Sequence, residues 1–108
     1  MGVIEQAKVL ASELARSKEL TDFKAAESQV RTDQNATKMV TKYMEMEEAM
    51  LLKQMQGQQV TQDEVTKLNS WREQIMQNDI VRRFFVTKQS LDRLWLQLNQ
   101  IISSVMGQ

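Results

Sequence analysis

The chain has 108 residues, 14 Lys plus Arg against 14 Asp plus Glu, and neither His nor Cys. A formal net charge of zero speaks against a protein that works mainly by neutralising phosphates or anionic lipid. The missing Cys excludes disulfides, zinc-thiolate sites and Cys-bound iron–sulfur clusters, and the missing His removes the usual general base at neutral pH. There is no Pro and Gly occurs only three times, a composition that suits long helices and gives little means of making strands and tight turns.

Apolar residues recur at helical spacing from end to end. A first helix is predicted from about Val3 to Arg16, with Val3, Ala7, Leu10, Ala11 and Leu14 on one face. Ser17 reads as the N-cap of a second helix running from Lys18 to about Arg31, with Glu19 in its first turn and Leu20, Phe23, Ala26 and Val30 on one side. Asp33 caps a third helix, from Gln34 to about Gln56, roughly 34 Å long at 1.5 Å per residue. Ala36, Met39, Val40, Tyr43, Met46 and Met50 form its stripe, which Met44, Leu51 and Met55 widen. Gly57 is a natural residue to close it.

Thr61 and Glu64 form a T-x-x-E capping box, with Val60 and Val65 at the two positions of a hydrophobic staple. The fourth helix runs from there to about Gln77, carrying Val65, Leu68, Trp71, Ile75 and Met76. After the punctuation at Asn78 and Asp79 comes a fifth helix, from Ile80 to about Val105 and roughly 39 Å long. Its apolar residues fall in heptads: Val81, Phe84, Leu91, Trp95, Leu98, Ile102 and Val105, with Lys88 as the one polar interruption. The expected architecture is all-α: one helical domain over residues 1–108, an elongated bundle of about five helices with the two long ones antiparallel.

The same stripes predict self-association. Each long helix is apolar over about half its circumference, more than the roughly 100° that one core-facing side requires. A homo-oligomer, a dimer first, is expected through Tyr43, Met46, Met50, Phe84, Leu91, Trp95, Leu98 and Ile102. Lys88, Glu47 and Gln54 are polar intrusions that restrict register. Five of the eight Met residues lie in the third helix, as core filler or as an adaptable binding face.

Little catalytic chemistry is available. Ser-His-Asp, Cys-His and Glu-x-x-His arrangements are impossible without His and Cys, and no Gly-rich phosphate loop is present. Glu45, Glu47 and Glu48 cluster on the third helix, and Glu47 falls inside the apolar stripe. It is either a buried acid or hard-cation ligand, the basis of a carboxylate-only enzyme, or a rim residue paired with a neighbouring cation. No enzyme, cofactor or metal is expected. Arg82, Arg83, Lys88 and Arg93, with Phe84 and Phe85 among them, could hold single-stranded RNA; the plainer reading is a solvated helix face whose aromatics point inward. Membrane insertion is not expected, since no apolar run approaches 18 residues. Without a signal-peptide pattern at the N-terminus, the cytoplasm is the inferred location.

The order of these marks resembles the YlbF/YmcA family of small helical bacterial proteins, and its YheA-like branch in particular. The stretch from Ala7 to Leu20 matches the family's opening helix and its Ser-Lys-Glu break. The run from Lys53 to Gly57, followed by that from Val60 to Val65, matches the YheA-like branch, and Asn78 to Ile80 with the long terminal helix completes the likeness. The resemblance implies a helical, oligomeric, cytoplasmic protein of Gram-positive type. Its better-studied relatives regulate competence, sporulation and biofilm formation, in a complex that influences messenger-RNA processing by a membrane-bound endoribonuclease. The iron–sulfur clusters that some relatives hold through Cys do not carry over to a chain without Cys. Together these readings make a protein-interaction adaptor the first expectation and an RNA-binding module the second.

Overall fold

A computed structural model describes residues 2–107. It contains five helices in chain order: α1 (Val3–Ala15), α2 (Lys18–Thr32), α3 (Gln34–Met55), α4 (Gln62–Ile75) and α5 (Asp79–Val105). No strand occurs among the described residues. Helix boundaries fall where the punctuation places them. The Ser17 hydroxyl accepts the backbone N–H of Leu20 at 3.2 Å, and the Asp33 carboxylate accepts that of Ala36 at 2.9 Å. Asn78, which the sequence marks only as a break, is the N-cap of α5: its side-chain oxygen accepts from Ile80 N (3.0 Å) and Val81 N (3.1 Å).

The α3–α4 connection is the best-specified local structure. Gly57 adopts φ +77, the left-handed conformation that closes a helix. Its N–H reaches Gln54 O at 3.1 Å, and that of Gln58 reaches Lys53 O at 2.9 Å, the two bonds of a Schellman motif. Thr61 then opens α4 with both halves of its capping box formed. The Glu64 carboxylate accepts from Thr61 N (3.1 Å), Thr61 Oγ1 (3.0 Å) and Lys53 Nζ (2.6 Å), which ties the last turn of α3 to the first turn of α4. These three donors, Lys53 foremost, hold the Glu64 carboxyl down at about 2.

The described residues divide into two compact units, 29–83 on one hand and 2–28 with 84–107 on the other. In the first, α3 and α4 form an antiparallel hairpin, joined along their length by Trp71, whose indole N–H points to Met39 O at 3.4 Å. The buried side chains here are Val30, Ala36, Val40, Tyr43, Ile75 and Val81, of which Ala36, Ile75 and Val81 are wholly enclosed. The Thr37 hydroxyl donates to Val30 O at 2.6 Å and fixes the entry into α3.

In the second unit the buried side chains are Ala26 and Phe84. Phe84 packs against Phe23 of α2 with ring centroids 5.6 Å apart, and edge-on against Phe85 at 5.3 Å. No residue of α1 is buried. The face predicted for that helix is apolar, but only Leu14 on it is half covered.

Candidate protein-interaction surfaces

Two apolar surfaces stay open, one in each unit. The first flanks the α3–α4 hairpin. Beyond the buried Val40 and Tyr43, the outer side of α3 carries Met44, Met50 and Leu51, which with Leu68 of α4 line an open groove of about 510 Å³. Glu47, Glu48 and Gln54 form its polar edge. Glu47 is therefore a rim residue: it is exposed, and it accepts a hydrogen bond from the Tyr43 hydroxyl. Burial, and then the Glu47 charge, push the Tyr43 phenol above its ordinary value, with Arg72 pulling the other way. On the opposite side of the hairpin the ammonium of Lys42 sits 4.2 Å from the ring centre of Trp71, a cation–π contact beside Met46 and Lys67.

The second surface is the far half of α5. Along its heptad seam Val81 and Phe84 are buried, Leu91 is half-buried, Trp95 is open (58%), Leu98 is half-buried again, and Ile102 (54%) and Val105 (84%) lie open. The first turns of α2, at Lys18, Glu19 and Asp22, share a groove with α5 residues from Val86 to Gln97. The residues past that groove on α5 include the half-buried Leu98 and the open Ile101, Ile102 and Val105.

The predicted interface residues thus separate. Tyr43 and Phe84 belong to the cores of their own units, Met46, Met50, Leu91 and Leu98 are half-buried, and Trp95 and Ile102 are open. The basic residues have different neighbours. Arg82 pairs with Asp79 at 2.6 Å, Arg83 donates to the Gln29 side chain at 3.1 Å, and Lys88 pairs with Asp92 at 3.1 Å. Arg93 lines the groove that also holds Glu19 and Asp22. Five residues between Lys88 and Arg93 turn the helix by about 140°, so these two cations point to different sides. Phe84 faces the core, as the plainer reading of this segment expects.

Sequence reasoning missed the Lys53–Glu64 clamp and the Lys42–Trp71 contact. The first was within reach, since a Lys in the last turn of one helix and a capping-box Glu in the next are brought together by a short hairpin loop. The second depends on how the two helices are rotated, which no spacing reveals. Among the described residues no three His, Cys, Asp or Glu side chains gather as metal ligands, and no helix is long and apolar enough to cross a membrane.

Comparison with known proteins agrees with this architecture. A solved structure, a protein of unknown function (DUF964) from Bacillus stearothermophilus, superposes with a TM-score of 0.88 over 97% of this chain and 92% of that one, at 21% identity. A UPF0342 protein of Limosilactobacillus fermentum is 26% identical over 103 residues, covering 95% of this chain and 86% of the relative. UPF0342 protein YheA of Bacillus subtilis is 28% identical over 93 residues, covering 86% and 80%. The family model described as control of competence regulator ComK, YlbF/YmcA, matches residues 3–106. The punctuation marks, the five helices and this match over nearly the whole chain lead to one conclusion: the protein belongs to the YlbF/YmcA family.

Proposed function

We propose that this chain is a non-enzymatic adaptor that binds other protein chains and itself in the cytoplasm, in a regulatory role of the kind its family has in competence. The observation that carries the reading is the open groove of the α3–α4 hairpin, where exposed Met44 and Leu51 and half-buried Met50 and Leu68 lie behind the Glu47–Glu48 edge. Met side chains adapt to differently shaped partners, and an apolar floor with a polar rim is the anatomy of a protein contact. A chain with neither His nor Cys, whose clustered carboxylates sit on an open rim, offers a substrate little beyond binding. Two of the four basic residues of α5, Arg82 and Lys88, are paired with neighbouring carboxylates, which does not favour the RNA reading.

The test is capture of cross-linked complexes on the tagged protein in its own cells. Wild type should retain at least one other protein near stoichiometry. Leu51→Asp and Met44→Asp, both at exposed positions, should keep the helical circular dichroism and lose that partner. A partner retained by both folded variants would remove the groove from the proposal. RNA bound with a steep salt dependence and lost on Arg82→Ala would replace the adaptor by the RNA-binding module.

A further inference from the structure

The groove of the α3–α4 hairpin has a charge pattern that its apolar floor does not require. Consecutive residues of a helix lie about 100° apart, so Glu47 and Glu48 stand on two sides of one stripe. Leu51 falls about 40° and Met44 about 60° round from Glu47, both inside the arc that the two carboxylates bracket. All four side chains are exposed. No Lys or Arg is among the residues that line this groove. Of the hairpin's cations, Lys53 is held by Glu64 at 2.6 Å, Lys42 lies over Trp71 on the opposite side, and Arg72 stands within electrostatic range of the Tyr43 hydroxyl.

Glu47 is also held in place. The hydroxyl of the buried Tyr43 donates to its carboxylate. A carboxylate has about four acceptor sites, so this bond leaves most of them free for a second donor. It removes part of the side chain's rotamer freedom in advance, which lowers the ordering that a partner must impose.

We infer that this groove receives an amphipathic helix of a different protein, one whose apolar stripe is flanked on both sides by Lys or Arg. The inference rests on the adaptor reading and gives its partner a chemistry. Backbone accounting selects a helix. The walls are α-helical and offer no edge of free N–H and C=O groups, so an extended segment laid here would leave its own unpaired. A Pro-rich segment calls for an aromatic-lined groove, and this one is lined by Met, Leu, Glu and Gln. From Met44 to Gln54 the groove runs about 15 Å along α3, enough for three anchors of a partner helix at i, i+4 and i+7. The carboxylates select the flanks. With Met44 and Leu51 against the partner's stripe, Glu47 and Glu48 fall on its two sides, where a cation is attracted and an acid repelled. The same bracket disfavours a second copy about a twofold axis, which would set these carboxylates against their own kind.

Peptide display on the full chain tests the assignment. The library holds helical peptides of about 15 residues, near the shortest length at which an isolated helix persists in water, with Leu fixed at i, i+4 and i+7 and the flanking positions free. Peptides are selected on wild type and discarded if they still bind Leu51→Asp. That variant adds a negative charge, so a peptide drawn by charge alone is discarded with the rest. The survivors should carry Lys or Arg on both flanks, and scrambled versions of them should not bind. Glu48→Gln should weaken a survivor about two- to fivefold, the range of an exposed ion pair. Glu47→Lys with Glu48→Lys should weaken it at least tenfold and, used as bait, should select Glu or Asp at the same flanks. Both side chains are exposed, so these variants should keep the helical circular dichroism.

Neutral or acidic flanks among the survivors overturn the inference, as do basic survivors indifferent to the double reversal or scrambled peptides that bind equally well. A library that yields no peptide lost on Leu51→Asp overturns it too. If wild type is then an oligomer that Leu51→Asp turns into a monomer, the occupant is a second copy. The adaptor reading fails on a different result, the absence of any captured partner protein. A partner captured from cells through Leu51 and Met44, together with survivors that have acidic or neutral flanks, would sink the inference and leave that reading standing.

Discussion

Ile75 closes α4 and is 0% exposed; with Val81 it is one of the two largest side chains wholly enclosed in the protein. Ile75→Ala deletes three carbons. At about 0.8 kcal/mol for each buried methylene the transfer loss alone is about 2.4 kcal/mol. The space left behind adds about 1 kcal/mol if the surroundings collapse halfway, since cavities cost about 24 cal/mol per Å³. The expected loss is therefore about 3–4 kcal/mol, a large part of the stability of an ordinary domain. Urea unfolding followed by circular dichroism at 222 nm gives the free energy, and Trp71 fluorescence reports on the same unit. Leu52→Ala removes the same three carbons from α3 in that unit, at a side chain nearly half exposed, and should cost less than about 1 kcal/mol. A loss below 1 kcal/mol for Ile75→Ala with an unchanged urea slope would refute the enclosure of this corner. Equal losses for the two variants would refute the assignment of the core.

Thr61→Ala removes the acceptor of the Glu64 N–H and one donor to the Glu64 carboxylate, and should cost about 1 kcal/mol by urea titration. Gly57→Ala forces a Cβ into the left-handed region at φ +77 and should cost about 1–2 kcal/mol, although nothing lies near enough to clash with the added methyl. On the acid side, the Glu64 carboxyl titrates at about 2 in the fold and at its ordinary, higher value when unfolded. Its contribution is then complete above the ordinary carboxyl range and lost as pH falls from there toward 2; Lys53→Met should flatten that limb of a stability–pH curve. On the alkaline side the Tyr43 phenol is raised, so its contribution holds below the ordinary phenol value and fades as pH climbs through the folded one. Tyr43→Phe should abolish this alkaline loss, and an unchanged alkaline limb would show that another group causes it.

Helix existence and limits were legible because this sequence writes its ends in side-chain chemistry. Ser17, Asp33, Thr61 with Glu64, and Gly57 each act within four residues of their own position, so neighbours elsewhere in the fold do not alter their meaning. Asn78 was visible as a break and not as a cap. Val81 has two roles: its side chain begins the apolar seam of α5, and its backbone N–H goes to Asn78. The apolar stripe of α3 was read correctly in its direction, yet not in its extent. Val40 and Tyr43 are covered, and Met44 and Leu51 on the same broad face are open. Period alone cannot separate them, because covering requires a second element and its length.

The same limit governs α5, where the lengths can be compared. The part of α2 that belongs with α5, residues 18–28, is about 16 Å long, and residues 84–105 of α5 extend about 33 Å. One short helix anchored by Phe23 against Phe84 cannot cover the whole of the longer one. Its first turns share the α5 groove lined as far as Leu94 and Gln97; Leu98 beyond it is half-buried, and Ile101, Ile102 and Val105 are open. The charges of α5 end at the same place, at Arg93. Packing alone does not require that coincidence: a helix end left to water is ordinarily furnished with Lys and Glu, which keep it soluble and single. A seam that continues in register past its last intramolecular partner, and sheds its charges where that partner stops, is patterned for a contact that the chain does not make with itself.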